Sequence, residues 1–254
     1  SSVFDVNASV PTPSSARTPV SIIAYRSPRP RAGSRRPPLP RAPLTRAALA
    51  LLDQHGLDRL TGRALAASLG VKAASLYRHV RDKQDLLALI ADEISAAIPM
   101  VPRRGSWRDQ ARAMALTVRR ELLKHRDAAR VMAESPPVGA HRLRHVEAAL
   151  SVFRAAGLGK RDAVRAGYVF NNFVTELVAD EGRLNDAATT LQTTRRVLLA
   201  RQADEFRALP SDQFPTLRSL AAELGRDDFE GLFEFGITVW LDGLERVRRR
   251  RARR

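Results

Sequence analysis

The sequence predicts an all-α protein built as two helical lobes, and three observations carry that expectation. Apolar residues recur at i, i+3 and i+4 in one segment after another. Glycine, proline and capping Ser, Thr or Asp residues stand between those segments, where helices begin and end. No sustained alternation of apolar and polar residues suggests a strand. The expected architecture is an N-terminal three-helix helix-turn-helix head with a linking helix over residues 44–98, joined to a larger helical domain over residues 106–245. Residues 1–43 hold nine prolines and no sustained periodicity, so they bury too little apolar surface to offset their ordering entropy, and a disordered basic arm is expected. Residues 246–254 are an arginine-rich tail that continues the last helix.

In the head, Thr45 is expected to cap a helix whose apolar positions are Ala48, Leu49 and Leu52, and Gly56 to stop it. Thr61 caps a second, short helix bearing Leu65 and Leu69 and ended by Gly70. Val71 alone separates Gly70 from a third short helix, from Lys72 to about Arg78. Two short helices joined by a tight turn with glycine make a helix-turn-helix, whose second helix enters the major groove of DNA. Asp82 then caps the linking helix, with Asp85 at its third position as a weak capping box, followed by Leu86, Ile90, Ile94 and Ala97 and closed by Pro99.

The larger domain divides at its breakers. Ser106 caps a helix through about Lys124 with Met114, Leu116, Val118 and Leu122 as apolar positions. A short helix over Asp127–Met132 ends at Ser135-Pro136-Pro137. Residues 140–156 carry Leu143, Val146, Leu150 and Phe153 on one stripe, with Gly157 at the end. The next helix, 160–179, bears Val164, Tyr168, Phe170, Phe173, Val174 and Leu177. A polar helix over 189–209, a turn between Pro210 and Pro215, and a short helix over 217–224 follow. The last helix begins at Asp227 and packs Phe229, Leu232, Phe233, Phe235, Ile237, Val239, Trp240, Leu241 and Leu244 into sixteen positions. Both this helix and 160–179 are apolar around too much of their circumference for a helix with one wet side. A second apolar face meeting another subunit explains them, and so does burial at the centre of a bundle.

Composition narrows the function classes. The formal net charge of +16 comes mostly from the ends: seven Arg against one Asp in residues 1–44, and seven Arg with no acid in 246–254. Such tails meet polyanions through phosphate neutralisation. The chain has no cysteine, which excludes disulfides, thiolate metal sites and Cys nucleophiles. There is no Gly-x-Ser-x-Gly elbow, phosphate loop or HExxH, so no catalytic residue is proposed and an enzyme is the weaker expectation. His141 and His145 stand at metal-binding spacing, but Arg142 and Arg144 beside them repel cations; no metal and no cofactor are expected. His125, near a helix C-terminus, is accounted for by the dipole there. No apolar run approaches the ~18 residues of a membrane span, and a cytoplasmic protein with no membrane partner is expected.

The run from Ala48 to Leu86 resembles the DNA-binding domain of the tetracycline-repressor (TetR) family. The matching residues fall in one ungapped register: Ala48, Leu52, Gly56, Leu60, Thr61, Arg63, Leu65, Ala66, Leu69, Gly70, Val71, Leu76, Tyr77, His79, Val80, Lys83 and Leu86. The resemblance implies that Thr61, Arg63, Tyr77, His79 and Lys83 contact the phosphate backbone or groove edge and set register. Lys72, Ala73, Ala74, Ser75 and Arg78 would face bases, Arg78 pairing with guanine and the alanine methyls meeting thymine. It also implies a homodimer whose two recognition helices read a palindromic operator.

The second domain resembles the tetracycline-repressor-like regulatory domain, through the stretch from Ser106 to Arg130 with its Pro-Pro turn and through Phe233–Glu245. The resemblance implies an effector bound between its helices and a four-helix dimer interface, here assigned to Val169, Phe170, Phe173, Leu177, Phe233, Ile237, Trp240 and Leu244. The effector residues would come from Trp107, Met114, Met132, Phe153, Tyr168, Asn172, Thr175 and Glu176, though Met132, Trp107 and Phe153 fit a core as well as a pocket. Met132 and Asn172 stand where the founding repressors have drug- and metal-contacting histidines, and the carboxylate falls at Asp180. These departures argue against a magnesium–tetracycline chelate and for a hydrophobic or aromatic effector. The expected function is a ligand-responsive repressor released from its operator; a non-specific basic architectural DNA protein and a small helical enzyme are the alternatives. Arg78→Ala is expected to cost ~1–3 kcal/mol on the operator and relax discrimination at one base pair, while Lys83→Ala weakens all duplexes alike. Binding isotherms at several salt concentrations distinguish the two, and equal, uniform losses would overturn this division.

Overall fold

The computed structural model describes residues 41–77 and 79–252. The arm over 1–40, Arg78 and the last two arginines lie outside the described residues. Among those described, the chain is helix and turn with no strand.

Helix α1 spans Arg41–His55 and starts before the expected cap. Thr45 is therefore not a cap. It sits a turn inside, buried, with its hydroxyl bonded to Ala42 O and to Glu93 of the linking helix, both at 3.2 Å. Gly56 ends α1 at φ 75° and ψ 171°, a backbone region that essentially only glycine occupies. After a 3-10 turn over Leu57–Arg59 comes α2, Gly62–Ser68, capped as expected by Thr61, whose Oγ1 accepts from Ala64 N at 3.1 Å. Helix α3 is a single turn, Ala73–Leu76, shorter than expected. Asp82 caps α4, Lys83–Ala97, by accepting from Asp85 N at 2.9 Å. The reciprocal half of the expected box is absent: Asp85 instead takes Arg81 N and a bidentate contact from its guanidinium at 2.6 and 2.7 Å.

In the larger domain, α5 spans Trp107–Leu122 and opens on a complete capping box between Ser106 and Asp109. Helix α6, Ala128–Glu134, follows Asp127, a non-glycine residue at φ 53°. Helix α7 spans Ala140–Ala155, and its buried residues are Arg142, Ala149, Val152 and Phe153. The expected stripe is thus corrected: Leu143 and Val146 are exposed. The helix is turned by its anchorage. Asp92 of α4 reaches over and caps it, accepting from His141 N and Arg142 N at 2.9 Å each. Gly139, at φ 98°, makes room for that carboxylate. Helix α8 runs through Lys160–Thr190, eleven residues beyond its expected end. Its polar second half is held by buried Glu181, which accepts from Arg119 of α5 at 2.9 Å and from Arg195 at 3.2 Å. Helices α9 (Arg195–Ala208), α10 (Pro215–Ser219), α11 (Ala221–Leu224) and α12 (Phe229–Ala252) complete the chain.

One continuous apolar cluster runs from Leu44 in the head to Leu241 in α12, with Leu86, Leu87, Ile90, Ala91 and Ile94 of α4 at its centre. The head also docks by polar contacts on the α5–α6 turn. Asp127 accepts from Leu57 N at 2.8 Å, Asp53 meets His125 at 3.0 Å, and Arg130 reaches Asp58 at 2.9 Å. That guanidinium holds the Asp58 carboxyl below its ordinary pKa. Helix α12 lies antiparallel to α5 and α8: Arg119 stacks over Phe233, Arg112 bonds Thr238, and Arg108 donates to Leu241 O.

The joint between α4 and α7 gives a direct test. Asp92→Ala removes a two-pronged cap and is expected to cost about 1–2 kcal/mol in urea unfolding. Gly139→Ala is expected to cost more, since its Cβ would lie 2.4 Å from Asp92 Cγ at a backbone angle that favours glycine. Equal stability of both variants and the parent would remove this joint from the account.

Candidate nucleic-acid interface and effector site

The head presents a polar surface around α2 and α3. Leu65, Ala66, Leu76 and Val80 point inward, while Thr61, Arg63, Lys72, Ala74, Tyr77 and Lys83 are exposed. Ala73, Ser75 and His79 are partly covered. Thr61 accepts through its oxygen as a cap, which leaves its O–H to donate outward. The Tyr77 ring crosses the start of α2 so closely that a Cβ on Gly62 would sit 3.1 Å from its hydroxyl oxygen. Nine of the ten residues expected to meet DNA thus lie in and beside one helix-turn-helix; the tenth, Arg78, is outside the described residues.

The eight candidate effector residues do not form one pocket. Met132, Phe153 and Thr175 are buried; Trp107, Met114 and Glu176 are partly covered; Tyr168 and Asn172 are exposed. Tyr168, Asn172 and Thr175 share a side of α8, but the chain covers that side only from Thr175 onward. Phe153 is core: it meets Phe170 at 5.8 Å and Trp240 at 5.5 Å between ring centres. The wall at Met132 is not simply apolar either. The Arg142 guanidinium lies on it, bonded to Met132 Sδ and, at 2.8 Å, to Met132 O. Burial pulls the pKa of Arg142, which is 5% exposed, down to about 10, against the favourable charge of Asp92. Three residues after Met132, the buried Ser135 hydroxyl has no hydrogen-bond partner. Two clefts lie elsewhere. One, of about 170 Å³, is lined by His125, Arg126 and Asp127 with Gly182 and Asp186 of α8. The other is an open groove where Met100 and Arg103 face Leu143 and Glu147.

The expected dimer face is corrected in part. Phe170, Phe233 and Ile237 are buried inside the protomer, and Trp240 packs on Phe153 and Phe170. The reason is helical phase: α12 turns 233, 237 and 241 toward α5 and α8, which leaves Leu232, Phe235 and Val239 on the other side. Phe235 is 70% exposed. On α8, Val164, Tyr168 and Val169 are similarly open, so the excess apolarity of both helices belongs to uncovered second faces.

Over residues 44–90 the chain matches the family described as bacterial regulatory proteins, tetR family, and over residues 99–248 the tetracyclin repressor-like C-terminal domain. The chain belongs to the tetR family. An HTH-type transcriptional regulator of Saccharopolyspora erythraea is 36% identical over 172 residues, which cover 66% of this chain and 73% of that protein. The class A tetracycline repressor from transposon 1721 of Escherichia coli is 33% identical over 207 residues, 80% of this chain and 89% of the repressor. The structure of ActR, a TetR family protein of Streptomyces coelicolor, in complex with actinorhodin matches with a TM-score of 0.69 at 30% identity, over 82% of this chain and 95% of that one. This chain is a ligand-responsive DNA-binding regulator of the tetR family.

Several residues of this tetR regulator take roles at its joints that charge and spacing alone do not disclose. Arg142 stands three helical turns before Phe153 and so shares the inward face of α7, while Leu143 and Val146 are exposed. His141 and His145 both face α4, at 3.2 Å from Asp92 and 2.9 Å from Ser95 O. Asp180, the expected carboxylate, is exposed and paired with Arg183. Among the described residues no group of three His, Cys, Asp or Glu could hold a metal ion, and no helix is long and apolar enough to cross a membrane.

Proposed function

We propose that this regulator is a cytoplasmic homodimeric repressor without catalytic activity, released from a palindromic operator by an aromatic molecule that carries an acidic oxygen. One observation carries the choice of effector: the buried Arg142 guanidinium is bonded only to Met132 among the described residues. A carboxylate or phenolate would supply the anionic partner it lacks, and Met132 would receive the ring. This narrows the expected hydrophobic or aromatic effector to one that also carries an acidic group. ActR was solved in complex with actinorhodin, and its likeness to this chain supports a small-molecule effector bound in the helical domain. In the head, Lys72, Ala73, Ala74, Ser75 and Arg78 read bases, while Thr61, Arg63, Tyr77, His79 and Lys83 hold phosphates. The effector acts on the head through α7, which hangs from Asp92 of α4, so that release is a shift between head arrangements.

The effector reading is tested with aromatic carboxylic acids and their methyl esters. The acids are expected to release operator at lower concentration than the esters, and Arg142→Met to erase that preference while operator affinity without ligand stays within a few-fold. An ester as potent as its acid on the parent protein would overturn an anionic effector.

The dimer reading separates two aromatic residues. Phe235→Glu puts a charge on the uncovered face of α12; a folded monomer with greatly weakened operator binding is expected in sedimentation and circular dichroism. Trp240→Glu puts it between Phe153 and Phe170, where burying a carboxylate should unfold the domain. A Phe235→Glu protein that remains a dimer with parental affinity would remove this face from the interface.

A further inference from the structure

The arginine run at the end of α12 lies at the pole of the molecule opposite the head. The head docks at the C-terminal end of α5, where His125 and Arg126 N bond Asp53. From there α12 climbs away, Phe233 beside Arg119, Thr238 beside Arg112 and Leu241 beside Arg108. At 1.5 Å per residue, His125 to Arg108 spans about 25 Å and Leu241 to Arg250 adds about 13 Å. The course of α4 agrees, since it leaves the head at Lys83 and delivers the chain to the start of α5. Helix α8 brings further cations to the same pole: Phe173 pairs with Phe233 and Phe170 with Trp240, so α8 runs antiparallel to α12 and its first turn stands beside the end of α12.

In the protomer this pole is basic and exposed. Arg246, Arg249 and Arg250 are exposed, as are Lys160, Arg161 and Arg165. Three acids stand among these cations: Asp242 pairs with Arg108, Asp162 with Arg165 at 3.4 Å, and Glu245 accepts from Arg248 at 2.7 Å and from Arg249 at 2.8 Å, whose guanidiniums hold its carboxyl down to about 2. Arg246 and Arg250 have no ion pair among the described residues. The spacing of 246, 249 and 250 sets three guanidiniums on one helix face. Apolar anchoring is nearly lacking, Val247 being the exposed apolar residue among them. A membrane-surface helix needs a broad apolar face opposite its charges; a duplex needs only phosphate partners.

We propose that this pole binds a second DNA segment, so that a regulator seated on its operator through the heads bridges to another duplex without reading its sequence. The proposal rests on the heads holding the operator, and the test reports that separately. An operator duplex enriched by the protein from a random-sequence pool is fixed to beads, loaded with the full chain and washed. A fluorescent duplex of unrelated sequence is then added at increasing salt. Retained protein on the beads measures the heads; retained fluorescence measures the pole. The full chain is expected to retain the second duplex with a log–log salt slope of about −0.9 per phosphate contact. The combined variant Arg246→Gln, Arg249→Gln, Arg250→Gln is expected to lose at least tenfold of that retention with operator affinity within twofold. Retention by the variant equal to the parent would assign capture to the arginines of residues 1–43 and overturn the proposal. No second duplex on the full chain, capture of phosphatidylserine vesicles in its place, or an equal loss of operator affinity in the variant would each overturn it as well.

Discussion

Everything in this molecule hangs on α4 being buried from two sides. Leu86, Leu87, Ile90, Ala91 and Ile94 belong to one apolar cluster that includes both the head and the regulatory domain. The head is therefore no independent module on a tether. Its angle is part of the packing of the larger domain, and at ~25 cal/mol per Å² of buried apolar surface that packing outweighs any single surface contact. A change in how α6 and α7 sit must be accommodated either by strain in α4 or by motion of the head.

Polar contacts give that shared core a defined geometry. On one flank, Asp92 caps α7 and His145 meets Ser95 O. On the other, Asp127 is held at φ 53° while its carboxylate caps the turn after α1. A non-glycine residue persists in that conformation only where its surroundings over-determine it. Apolar contacts slide at little cost, but these bonds are made or lost as units. That is what a switch between two head arrangements requires.

The sequence disclosed the head nearly whole because its signals are local. Thr61 and Asp82 cap their helices, and Gly56 and Gly70 take positive φ, all from residues within a turn of the structure they fix. Where the deciding partner is distant in the chain, local signals do not fix the outcome. The phase of α7 depends on Asp92, 49 positions from the His141 amide it caps. The length of α8 depends on Glu181 finding Arg119 and Arg195. The same holds for the faces of α12: periodicity revealed that it was apolar on two sides, but only the packing of α5 and α8 decides that Phe233 and Ile237 turn inward and Phe235 outward. Fold class is a sum of local preferences; a ligand site is a meeting of strangers in the chain.

Arg142 shows how such a meeting can carry function. Burial pulls its pKa from the ordinary guanidinium range down to about 10, so the folded state holds this proton less tightly than the unfolded chain does. Stability from this residue therefore rises as pH climbs above about 10, and at neutral pH the full cost is borne by the folded state. Asp92 eases that cost through its charge, and Asp92 is also the cap that ties α7 to α4. On the reading proposed above, an anionic effector beside Arg142 would compete with Asp92 for the same cation. Coupling between effector and head need not travel far, because the carboxylate whose charge favours the buried cation also caps α7 and stands on the helix that carries the head.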